Sequence, residues 1–240
     1  MDKLIKIELK KIFKRTQTQL ILILLLFLYV FMIIITKLFH IFNVNFVIEN
    51  SFSTLQFFPL ALIIFTTSSV AIEYQTGAIK NLVCTIQKRY KIVISKFIAL
   101  VITSFFMYVS ILVLNFLTAK FIFLAPNKII RYSCLWTIGS SIESIYLISF
   151  SLVLAFIFYN QAISVSLSVL TYFLANLIDG SIFSMIKHFE IIKYNPINLF
   201  NFKMELVDSS FIKQTHLSMS DFLYLFIIYI CVNIIFSIFF

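Results

Sequence analysis

The chain has 240 residues, 19 of them Lys or Arg and 10 Asp or Glu, about half the charged share of an ordinary soluble domain. Apolar residues make up 61% of it, with 30 Phe and a mean hydropathy of +1.04, more apolar surface than a water-soluble fold can bury. The net charge of +9 gathers in two short blocks beside apolar runs, which fits a membrane face better than a DNA groove, and Cys84, Cys134 and Cys231 lie too far apart for a CxxC zinc or redox motif. The composition predicts an all-α, polytopic membrane protein.

The first expected element is an amphipathic helix over residues 1–15. Ile5, Leu9, Ile12 and Phe13 form one helical stripe, and Lys3, Lys6, Lys10 and Lys14 lie on another face. Such a helix lies in the membrane interface, apolar side in lipid and lysines toward phosphates or a partner. The plainer alternative is an orientation anchor for the first span.

Charge-free windows then mark the spans. Thr16 to Thr36 gives 21 uncharged positions, Glu49 to Glu73 encloses 23, Lys96 to Lys120 another 23, and Phe222 to Phe240 gives 19. Each matches the ~20 residues that cross ~30 Å of hydrocarbon, placing spans at about 18–38, 52–72, 94–118 and 222–240. The first is too long for a signal h-region and lacks a small-residue cleavage site, so it is expected to be a span. Glu143 and Asp179 enclose 35 uncharged positions, ~52 Å as one helix and too long for one upright crossing. The polar Tyr159-Asn160-Gln161 near the middle predicts a helical hairpin, with spans at about 135–158 and 162–182. Six spans put both termini on one side. Residues 1–19 and 73–96 carry 11 of the basic residues and only three acidic ones, so that side is expected to be cytoplasmic. Pro59 is expected to kink the second span. The mixed-charge segment 183–221 contains the apolar run Tyr194–Phe200, so it is expected to fold on the outer membrane surface or to dip back in.

Residues 73–91 hold the most specific signal. Ile79, Leu82, Val83 and Ile86 fall on one helical face, Thr76 could cap that helix ahead of Gly77, and Lys88, Arg89 and Lys91 follow the stripe. A connection between two spans needs only a few residues; this one has the form of a docking helix for a soluble protein. Glu73 is expected to orient it through a basic residue such as Lys80 or Arg89.

The order of basic amphipathic helix, two spans and a Glu-x-x-x-Gly-x-x-Lys-x-Leu segment (Glu73, Gly77, Lys80, Leu82) resembles the permease subunits of type 2 ABC exporters. Among these it is most similar to the small permeases of bacteriocin and lantibiotic self-protection, bacitracin resistance and peptide-toxin export. The resemblance implies one permease domain over 1–240, residues 1–15 as an interfacial helix and 74–89 as a coupling helix. It further implies a Gram-positive bacterial cell membrane, two copies of an ATPase subunit carrying ATP and Mg, and a second permease protomer, identical or not. An amphipathic or hydrophobic peptide would be the cargo. The last span closing the chain would leave no cytoplasmic tail to assist docking, a departure from many members. Alternatives are export of a lipid, drug or other small hydrophobic compound, or a non-transport assembly or sensory role.

The chain is expected to be non-catalytic. Its glycines are Gly77, Gly139 and Gly180, so a phosphate-binding GxxxxGK[ST] loop is impossible and ATP hydrolysis needs a separate subunit. His40, His188 and His216 form no HExxH, no metal or cofactor set is present in the sequence pattern, and no nucleic-acid partner is expected. Glu143 and Asp179 are candidates for a substrate pathway, since a carboxylate at mid-membrane costs ~2.5–3.5 kcal/mol. If their helices are short, at 17–18 residues each, both acids lie at the outer interface instead. Ser149, Ser151, Ser164, Ser166, Ser168 and Thr171 suit close helix packing or a pathway lining.

Overall fold

The computed structural model describes residues 1–40, 42–77, 89–186, 188–207 and 215–239, with side chains at all of them except 179–181, 183, 184, 201 and 205. In lipid a backbone N–H or C=O has no water to bond, so long apolar runs fold as helices. Every regular element among the described residues is helical. In chain order these are α1 (Asp2–Lys14), α2 (Thr16–Phe39), α3 (Val44–Glu49), α4 (Thr54–Gln75), α5 (Arg89–Leu117), α6 (Asn127–Phe158), α7 (Gln161–Ile186), α8 (Phe202–Val207) and α9 (Met219–Phe239). One π-helical turn, Thr118–Ile122, extends α5, and two 3-10 turns, Glu190–Tyr194 and Pro196–Asn201, precede α8.

Six stretches are long and apolar enough to cross a membrane, the number expected from the charge-free windows. The chain is a multi-pass membrane protein. The α6–α7 hairpin closes where the polar break predicts: Tyr159 takes a left-handed φ of 51°, and the Asn160 side chain accepts from the Ala162 N–H at 2.9 Å to cap α7. Packing uses the hydroxyls, since Ser151, Ser164 and Ser168 are fully buried and Ser164 donates across the hairpin to Leu154 O.

Several helices run beyond the expected spans. α6 begins at Asn127, eight residues before position 135, because Lys128 and Arg131 end the apolar window without breaking the helix. Pro126 stands at the N-cap with φ −64° and ψ 144°, out of the helical region, and has no N–H to leave unbonded. The second span has a preface, α3, joined to α4 through Ser51, Phe52 and Ser53, all three left-handed. Such backbone costs roughly 1–2 kcal/mol per residue, and local bonds offset it. Asn115 from α5 donates to Ile48 O and to Ser51 Oγ, while the fully buried Phe52 packs on Tyr29 and Phe123.

The buried interior has two parts. One runs through α1 to α6 and includes Tyr29, Phe52, Phe65, Leu100 and Ile148. The other lies where residues 197–207 and 217–226 fold against α6 and α7, joining Leu199, Phe200, Phe202 and Phe222 to Tyr146 and Tyr172. Apolar side chains of residues 197–206 therefore turn inward, between helices, and carry α8 back onto α6.

Candidate functional site

α1 carries an acid, Glu8, among its lysines. The Ile5, Leu9 and Ile12 part of its stripe packs against the protein core, with Ile12 3% exposed, whereas Phe13 points away from it and is 44% exposed. The stripe thus faces protein where lipid was expected. Lys3, Lys6, Lys10 and Lys14 form the exposed ridge. Packing this face on α5 also buries Glu8, and a buried carboxylate needs compensation.

Two ammonium groups supply it, and a second carboxylate, Glu73, shares them. Lys11 Nζ lies 2.9 Å from Glu8 Oε1 and 2.7 Å from Glu73 Oε1, and Lys96 Nζ lies 2.8 Å from Glu8 Oε2 and from Glu73 Oε2. Two carboxylates and two ammonium groups thus form a closed ring in which every charge touches both opposite charges. Lys96, whose side chain is wholly buried, also donates to Ser69 O at 2.8 Å. The ring ties α1 to the end of α4 and the start of α5. Beside it the Arg15 guanidinium reaches Ser68 Oγ at 3.4 Å, and the rings of Tyr74 and Tyr159 stand 4.1 Å apart, so the hairpin turn lies at the same end of the bundle.

Burial by itself would raise the Glu8 carboxyl, but Lys96 and then Lys11 outweigh it and hold the group below the ordinary 4.5. Burial likewise disfavours charge on Lys11, yet Glu73 and Glu8 lift it above the ordinary 10.5. A depressed acid stabilises the fold above its unfolded pKa, and that contribution is lost as pH falls through the folded value. A raised base does the reverse. Thermal stability in neutral detergent is therefore expected to be level between these limits. It should fall below pH 4.5 and again above pH 10.5, with the acid limb flattened in Glu8→Gln. An acid limb of unchanged shape in that variant would remove Glu8 from the balance.

A second polar group lies elsewhere in the fold. α6 has 32 residues, and Glu143 sits near the middle of that helix. Glu143 is buried, and Lys203 Nζ from α8 stands 3.3 Å from its Oε1 and reaches the Tyr172 hydroxyl. α8 comes this close because of Gly139. A Cβ there would stand 2.8 Å from Lys203 Cα. The pair opens on a cavity of about 320 Å³ whose wall includes Tyr108, Trp136, Tyr172 and Asn176. Leu55 and Pro59 border it too, where proline at 59 leaves the Leu55 carbonyl without its usual helical donor.

Of the residues expected from sequence, Glu73 lies in the ring of charges, partnered by Lys11 and Lys96 from α1 and α5 where a partner such as Lys80 or Arg89 was expected. At the end of α4 the Thr76 hydroxyl donates to Ile72 O, and Gly77, at φ 70°, follows in a conformation open to glycine; the helix that Thr76 was expected to cap lies outside the described residues. Ile79, Lys80, Leu82, Val83, Ile86 and Lys88, and with them the body of the expected coupling helix, lie outside the described residues. Arg89 is exposed at the first turn of α5. Asp179 belongs to α7, and its side chain lies outside the description. Sequence reasoning missed Glu8, Lys11, Lys96 and Lys203. The available signal was Lys96 itself, a cation next to a 23-residue apolar run, which must pair or leave the interior. No protein-family model and no curated protein matches the chain.

Proposed function

We propose that the chain is the permease subunit of an ATP-binding cassette exporter in a bacterial cell membrane, with both termini cytoplasmic. In this reading it pairs with a second permease protomer and two copies of an ATPase that carries ATP and Mg. The cargo is an amphipathic or hydrophobic peptide, in export or self-protection. The observation that carries the reading is the ring of Glu8, Lys11, Glu73 and Lys96. It binds α1 to the two helices that residues 76–88 connect. A push on that connection by a closing ATPase dimer reaches α1, α4 and α5 as one body, because the charges resist separation in a poorly solvated site. ATP can drive the change only by favouring one packing of these helices over another. The exposed lysine ridge of α1 suits the anionic cytoplasmic leaflet or an acidic patch on the ATPase.

Replacing Leu82 and Ile86 by Asp tests the docking role. The double variant is expected to insert and to run monodisperse in detergent while losing ATPase co-purification at least about tenfold, since each change puts a charge on the apolar docking face. Undiminished co-purification would overturn that role. Recovery of another cytosolic partner through 74–89, with no ATPase, would move the chain to the assembly or sensory class.

A further inference from the structure

We propose that the gap between α2 and α5 holds one acyl chain of an anionic phospholipid, whose phosphate is held by Lys6 and Lys10 of α1. The site goes beyond the exporter reading and does not depend on it.

The gap comes from how the helices pack. α2 leans on α1 and α4 and has little contact with α5. A groove of about 240 Å³ therefore opens between α2 and α5, with Thr54 and Phe58 of α4 as its floor. Leu26 on one rim and Phe106 on the other are exposed, so the groove opens away from the bundle. Its α5 wall runs from Thr103 to Leu114, ~16 Å at 1.5 Å per residue. That is about half of the ~30 Å hydrocarbon core, the depth of one leaflet. The volume is below the ~300–1,000 Å³ of pockets for compact ligands and suits a single chain.

The walls select hydrocarbon. Tyr29, Thr54, Thr103 and Ser110 carry the hydroxyls of the lining, and each is already engaged. Tyr29 is bonded to Thr118 at 2.7 Å, while the other three donate to Phe52 O, Ala99 O and Phe106 O. The remaining lining residues are Leu, Ile, Met and Phe. A polar occupant would give up its bonds to water without replacement, and an acyl chain has none to give up.

α1 supplies the charge. Phe13, which turns away from the core, lines the groove and sits where the apolar stripe of α1 meets the lysine ridge. Lys10 and Lys6 precede it by three and seven residues, about one and two turns, and both are exposed on the side of the helix that Phe13 occupies. Among the described residues no acid pairs with either lysine. Glu8, between them in sequence, is turned inward and neutralised by Lys11 and Lys96. Two ammonium groups thus border the end of the groove where the headgroup of the lipid lies. Each is worth about fivefold in affinity for an anionic lipid.

The test uses the purified full chain in phosphatidylcholine nanodiscs doped with phosphatidylglycerol that carries a diazirine on one acyl chain. Phosphatidylcholine with the same labelled chain is the control. Photolabelling, mapped by peptide mass spectrometry, is expected to favour Leu25, Met107 and Ile111 in the groove over Ile23 and Leu177 on open faces of α2 and α7. With the control probe, groove labelling is expected to be at least about tenfold weaker. Lys6→Gln with Lys10→Gln is expected to stay monodisperse and to bring the anionic probe down to the control level. Ser110→Phe puts a ring into the groove and is expected to cut labelling there at least about fivefold with either probe. Equal labelling by the two probes, or unchanged groove labelling in either variant, would overturn the proposal. So would labelling spread evenly over groove and open faces, which is ordinary lipid contact. Groove labelling confined to discs with one copy of the chain, and lost in discs with two, would give the groove to a second copy and overturn it as well.

Discussion

Lys96→Met is expected to lower the unfolding free energy by ~3–5 kcal/mol, a large part of the ~5–15 kcal/mol typical of a folded domain. The size follows from burial. The Lys96 side chain is wholly buried, and its loss leaves Glu8 and Glu73 sharing Lys11, whose side chain is about a third exposed. It also leaves Ser69 O without its ammonium donor. Denaturant unfolding in detergent measures the loss, with Lys10→Met on the exposed ridge as the control expected to fall within ~0.5 kcal/mol of the parent. Glu8→Gln should cost less in the Lys96→Met background than alone, because charges in one network are not additive. A Lys96→Met protein as stable as the Lys10→Met control would mean that the ring contributes nothing.

Gly139→Val is the second change of large effect. A Cβ at this position meets Lys203 Cα at 2.8 Å, Lys203 Cβ at 3.1 Å and the Leu206 side chain at 3.3 Å. The first of these is backbone, so relief requires moving α8 as a unit. Valine adds two further methyl groups, and overpacking of this kind costs ~1–3 kcal/mol or more. The displacement should lift Lys203 off Glu143. Its rate of modification by an amine-selective reagent, read by peptide mass spectrometry, is expected to rise at least about tenfold. Ile138→Val, one residue earlier and exposed on the outer side of α6, should leave both stability and labelling near the parent values. Unchanged labelling in Gly139→Val would show that α8 does not depend on this close approach.

Much of the architecture was open to reading because lipid makes it one-dimensional. A backbone that cannot bond water must close on itself, so an uncharged run of sufficient length becomes a helix whatever its neighbours do. The hairpin at Tyr159-Asn160 was legible for a related reason: a polar pair at the centre of a 35-residue apolar run cannot stay at mid-membrane without cost. The same use of charge as punctuation marks a span and not where the helix around it starts. Lys128 and Arg131 end an apolar window, but helix formation does not require apolar residues, and the helix runs back to Pro126. Thr76 and Gly77 show how local chemistry can serve two ends: a hydroxyl followed by glycine suits either end of a helix, and here the pair closes α4.

The sequence by itself determined the number of crossings, the helical class, the hairpin and the basic ridge of α1, because each follows from composition along a single stretch of chain. Only the tertiary structure decided which charges meet. Glu8 and Lys96 are 88 residues apart and Glu143 and Lys203 are 60 apart, and no local period encodes such a meeting. The pairing is set by which helix faces pack, and by the cost of burying a carboxylate alone. That cost makes each buried acid settle where packing brings an ammonium group within reach.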